Sequence, residues 1–252
     1  MIRENDYVSL ATLNQLVMRS PSIASLFSYH ALVSFDKQLH LANLVGDFDW
    51  QFDLQSGVLS FADHFHWSAQ VLGTESDVSG TWLWSWANEQ SGISECLIES
   101  SRVLKAFGER HKIPELTEPE VSVKRIDSHM LSLISSGICR ANAYYRGPFD
   151  GGAAFLLIQD ELFPHNAEPP LARIATVCPQ AISTLGIPNQ RLAFLSFLAF
   201  HEIQCEIRGN VVTVEEQRKP KLFAEFDEQN RLTKLEARIE GVDSSSRIAP
   251  VE

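Results

Sequence analysis

Several common signatures are missing from this 252-residue chain, and each absence removes a class of protein. No two cysteines lie close together: Cys96, Cys139, Cys178 and Cys205 are separated by 43, 39 and 27 positions. That spacing excludes a zinc knuckle and a Cys-x-x-Cys redox pair, and predicts buried free thiols in a reducing cytosol. Long apolar runs are also absent. The longest, Leu192 to Phe200, is about half of what a membrane span needs. The opening residues MIRENDYVSL offer no continuous apolar stretch of the kind a secretory leader requires, so a cytoplasmic setting is expected. Positive charge is scarce, with 21 Lys and Arg against 32 Asp and Glu and a formal net charge of -11. Nucleic acid phosphates and anionic lipid repel such a chain, which leaves a basic protein or a cationic ligand as the easier partner. There is no Gly-x-Ser-x-Gly elbow, no Walker spacing and no dinucleotide fingerprint, so no cofactor is expected. GPFDGG (147–152) reads as a turn between strands.

What is present is a dense supply of core-forming side chains: 44% hydrophobic residues, with 15 Phe and 5 Trp. From about Ser20 to Val45 the apolar residues Ile23, Leu26, Phe27, Val33, Leu41 and Leu44 recur at helical spacing, with Ser20 or Ser22 as cap and Gly46 as stop. The period then changes to two. Phe48, Trp50 and Phe52 alternate with Asp47, Asp49, Gln51 and Asp53, which predicts a strand with one buried and one acidic face. Val58–Ala62 returns as a partner. Phe65, Trp67, Ala69 and Val71 alternate with His64, His66, Ser68 and Gln70, and GTWLWSWAN (80–88) follows. Four strands with short links make an antiparallel meander covered by the preceding helix. Two helices are expected next, one after a Ser91 or Ser94 cap and one across 117–137. Two strands follow at 138–146 and 153–160, then a helical pair opened by Pro169 and Pro170, with Pro179 as a kink or break. Three strands close the chain, the last two joined at DEQN (227–230). The expected fold class is α+β: an antiparallel meander sheet covered by amphipathic helices, with two similar halves as an alternative arrangement. No linker composition interrupts it, so residues 1–240 read as a single domain and 241–252 as a loose tail.

Two groups of side chains are candidates for chemistry. If the comb is a strand, Trp82, Trp84 and Trp86 project to one face, where Trp50 and Trp67 could join them. That surface is either a thick aromatic core or an apolar pocket that stacks a ligand. His64 and His66 would share a strand face, and Asp49 on the neighbouring strand could complete a metal site. His201 and Cys205, at i and i+4, resemble a zincin helix only superficially, because the second histidine is missing.

GDFDWQFDLQSGVLSF, followed by GTWLWSWAN and, after the next helix, IPEL, resembles a family of uncharacterised bacterial proteins marked by a Trp-x-Trp-x-Trp-Ala-Asn strand. The resemblance covers roughly Leu41 to Glu118. It implies a bacterial cytosolic setting and a stand-alone domain, and brings no activity or catalytic residues. The composition and the lack of catalytic motifs favour a non-enzymatic cytosolic binding protein of immunity or adaptor type, acting through protein contacts. The alternatives are a small-molecule binder with an aromatic pocket and a metal-dependent hydrolase using His64 and His66.

Overall fold

The computed structural model describes residues 9–216 and 219–238, so the expected tail at 241–252 lies outside the described residues. Packing divides the described residues into two compact units, one within residues 1–36 and 167–252 and one of residues 37–166.

The first unit holds α1 (Leu10–Met18), the opening turns of α2 (Ile23–Val45), α6 (Pro170–Leu185), α7 (Gln190–Phe200) and a four-stranded antiparallel sheet. In that sheet β11 (Leu232–Ala237), β10 (Lys219–Phe226), β9 (Val211–Glu216) and β8 (Glu206–Arg208) neighbour one another in that order. α1 is a helix the sequence pattern passed over; Ser9 caps it by accepting the N–H of Thr12 at 3.1 Å. α2 starts where Ser22 and Ser25 exchange side-chain and backbone hydrogen bonds, which satisfies two otherwise orphaned N–H groups. α6 runs continuously through Pro179, so of the expected kink or break the break does not occur. The hairpin turn falls at 227–230, as its sequence predicts. α7 is buried along most of its length, with Phe194 against Phe226. Inside this unit the Arg173 guanidinium grips the Asp36 carboxylate with two N–O contacts of 3.0 and 2.9 Å, and both side chains are under one-tenth exposed.

The second unit is built on β3 (Phe65–Ser76). β2 (Val58–Phe61) pairs with its first half and β1 (Trp50–Asp53) pairs with β2. β4 (Thr81–Trp84) pairs with the second half of β3, and β5 (Glu120–Ser122) adds to β4. β7 (Gly152–Ile158) also pairs with β3, and β6 (Ala143–Phe149) pairs with β7. All pairs are antiparallel, giving seven strands. β5 occupies part of the segment expected to be helical from 117; α5 begins only at Ser128, with Asp127 as its cap, and runs to Ile138. α3 (Glu99–His111) and the short α4 (Pro114–Thr117) complete the unit. GPFDGG is only partly a turn, because Gly147, Pro148 and Phe149 are still in β6.

Both faces of this sheet are covered. A bulge in β3 between Val71 and Gly73 changes which residues face which side. On one face Phe61, Trp67, Tyr145 and Leu156 pack with Leu41 and Val45 of α2. On the other, Phe155 meets Trp82 at 5.0 Å and His129 of α5 at 5.6 Å. Phe155 and Leu156 are consecutive in β7 and therefore point to opposite sides. α2 also fastens to the backbone of β6 and of the segment just before it through polar groups. The Gln38 amide donates to the Tyr144 carbonyl and accepts the Tyr144 N–H, each at 2.8 Å, and Lys37 Nζ donates to the Ala141 carbonyl at 2.7 Å.

Candidate functional site: an apolar pocket in the second unit

The Trp comb is not one strand. β4 ends at Trp84, and Ser85–Ala87 form a 3-10 turn because the Ser85 hydroxyl is engaged by the fold: it donates to the Val71 carbonyl at 2.6 Å and lies within hydrogen-bond reach of Ser101 Oγ at 2.7 Å. Trp82 and Trp84 are both fully buried. Trp84 Nε1 donates to the Glu115 carbonyl at 3.0 Å, and the Trp82 ring presses so closely on Gly73 that a Cβ there would sit 2.6 Å from it. Trp86 leaves the strand geometry; its ring is capped by Lys105 Nζ at 4.2 Å. The expectation that Trp50 and Trp67 share a surface with Trp82 and Trp84 is therefore corrected. Trp50 and Trp67 belong to the opposite face, with the cluster around Phe61 and Leu156, because the β3 bulge intervenes. Trp67 is itself buried, stacked on Phe65 at 4.8 Å.

The histidine pair is also separated. β3 begins at Phe65, so His64 sits in the preceding turn, where Ala62 takes a left-handed φ of 46° and reverses the chain. His64 lies against Phe48 at 4.7 Å, whereas His66 shares a hydrogen bond with Ser60 Oγ at 2.9 Å. Asp49 precedes β1 and is exposed, with its carbonyl accepting the Ala62 N–H. Phe48, expected to be buried, is 41% exposed for the same reason: the strand starts two residues later. Among the described residues, no three His, Cys, Asp or Glu side chains are grouped to hold a metal ion.

Trp50 lines a half-open cavity of about 500 Å³. Its floor is the sheet: Val71 and Thr74 of β3, Ala154 and Leu156 of β7. One wall is β1 and the turn after it, with Trp50, Gln51, Phe52 and Leu54; Phe149 of β6 adds to the lining. The remaining wall is the irregular segment between β4 and α3, which contributes Asn88, Ser91 and Ile93. That segment is held in shape by local bonds, with Asn88 Oδ1 accepting from both the N–H and the hydroxyl of Ser91. The turn carrying Leu54 is set by Asp53, whose carboxylate accepts from the Ser56 hydroxyl at 2.7 Å and the Gln55 N–H at 2.8 Å; these bonds hold it below the usual carboxylate range. Leu54 and Phe149 are each about half exposed at the mouth.

Of the Trp residues singled out in the sequence, only Trp50 lines this pocket. Most of the others in the pocket carried no sequence signal, since they come from four separated stretches. An available hint was Gly147, a glycine inside β6 whose missing side chain makes room for the Trp50 indole.

The family described as "Family of unknown function (DUF6882)" matches residues 24–161, more than half of the chain and every residue of the pocket. No curated protein and no solved structure matches the chain.

Proposed function

Since the chain belongs to the family of unknown function DUF6882, we propose its role from the site alone: the second unit is a binding module that holds a small, mostly apolar molecule in the pocket beside Trp50. The observation that carries this reading is a concave space of about 500 Å³ with aromatic and aliphatic walls and a few polar groups, which is the usual character of a small-molecule site. Three supports make it a preformed space. The dense opposite face of the sheet supplies rigidity, the Asn88–Ser91 bonds hold one wall, and Gly147 seats the other. The lining holds no His, Cys, Lys, Asp or Glu, so the reading is of binding without catalysis. The test is titration with the uncharged fluorophore N-phenyl-1-naphthylamine. Saturable enhancement is expected, and Ala154→Phe, which fills the floor, should abolish it while leaving far-UV circular dichroism unchanged. Enhancement that survives Ala154→Phe would refute the pocket as the site.

A second reading, contact with a basic protein, draws on the rim. Leu54 and Phe149 are exposed apolar side chains, each adjacent in sequence to an exposed aspartate, Asp53 and Asp150. An apolar side chain from a basic partner would use the same mouth. Leu54→Ser combined with Phe149→Ser would then abolish co-purification of a basic host protein.

A further inference from the structure

The chemistry of the pocket wall narrows what it can hold. None of its lining residues is ionisable. A charge carried into it would lose water and meet no counter-ion in the lining. The surrounding chain, at a net charge of -11, opposes an anion further. The wall is also flat and fixed. A Cβ on Gly147 would lie 2.5 Å from Trp50 Cη2 and 2.8 Å from both Cζ2 and Cζ3, closer than real Cβ atoms approach. The indole thus lies directly on the β6 backbone. Gly147 is required for space, as its φ is not in the left-handed region. Tyr145, on the same face of β6, meets the indole at 5.5 Å. Phe52 and Phe149 add two further rings to the lining. A fixed aromatic wall favours a ring offset-stacked on it over a flexible alkyl chain, by roughly three- to tenfold in affinity.

We infer that the ligand is an uncharged molecule with an aromatic ring stacked on the Trp50 wall, and that Gly147 is the positioning residue that sets where that wall stands. The Thr74 hydroxyl and the Asn88 amide supply the hydrogen bonding for its few polar atoms. This rests on the pocket being a ligand site.

Three measurements in neutral buffer test it on the full chain: binding of N-phenyl-1-naphthylamine, binding of its sulfonated analogue 1-anilinonaphthalene-8-sulfonate, and displacement of the first by 1-naphthol against 1-decanol. The sulfonate is expected to bind roughly tenfold or more weakly, and 1-naphthol to displace roughly three- to tenfold better than 1-decanol. Gly147→Ala should weaken the neutral probe several-fold and shift the emission of Trp50. Trp50→Leu, which removes the wall without crowding β6, should weaken it similarly and serves if the alanine variant does not fold. Equal binding of the sulfonate, equal displacement by decanol, or wild-type affinity in Trp50→Leu overturns the inference while the pocket reading stands. Failure of the folded wild-type protein to bind any of these probes overturns the pocket reading and this inference with it.

Discussion

Replacing Trp84 by alanine tests whether the tryptophans of β4 hold the second unit together. The indole is fully buried and packs edge-on against Trp82 at 5.2 Å. Large aromatic truncations in cores cost about 3–5 kcal/mol through lost transfer energy and the cavity left behind. The Glu115 carbonyl would also lose the N–H that reaches it at 3.0 Å, adding about 1 kcal/mol. Trp84→Ala should therefore destabilise by about 4–6 kcal/mol. Trp84→Phe keeps much of the ring volume and loses the donor, so a smaller loss of about 1–3 kcal/mol is expected. Urea unfolding should be followed by far-UV circular dichroism, because removing an indole alters the fluorescence baseline. A Trp84→Ala loss below about 1 kcal/mol would contradict the burial argument. Equal losses in the two variants would mean that the hydrogen bond, and not the packing, dominates.

Two further outcomes follow from buried groups. Arg173→Met leaves Asp36 buried without its bidentate partner and should cost about 3–5 kcal/mol by urea unfolding, much of it recovered when Asp36→Leu is added; additive losses in the double variant would refute this. Burial pushes the thiols of Cys139 and Cys205 up to about 11 and that of Cys178 to about 12, whereas Cys96 is exposed. A thiol-reactive disulfide reagent at neutral pH should therefore modify Cys96 quickly in the native protein and the other three only after unfolding, and prompt reaction of Cys178 would contradict its placement.

The class of fold was legible because alternation and helical spacing are local. Trp67, Ala69 and Val71 face one side as their spacing demands, α2 ends at Gly46 with a left-handed φ of 49°, and Asp227 to Asn230 turns the final hairpin. The candidate site was far less legible, for three physical reasons. A comb of period two looks the same whether or not the chain stays in a strand, and what bends it after Trp84 is a hydroxyl bonding two distant groups, Val71 and Ser101. The β3 bulge that moves Trp82 and Trp67 to opposite faces contains Val71, Leu72 and Gly73, which read as an ordinary apolar strand. His64 falls in the turn before β3, while His66 lies in the strand; that turn's left-handed residue is Ala62, and alanine carries no turn signal. The pocket itself exists only once β1, β3, β6, β7 and the loop before α3 are assembled.

The Gln38 side chain has a consequence for how copies of the protein meet. Among the described residues β6 has one strand neighbour, β7, so its other margin presents backbone donors and acceptors of the kind that recruit a strand from a second molecule. At Tyr144 both of those groups are already taken, by one primary amide that mimics a residue of the missing strand. Colloidal stability along that margin is thus tied to a helix residue, and Gln38→Ala should promote self-association in concentrated solution before it measurably changes the melting temperature.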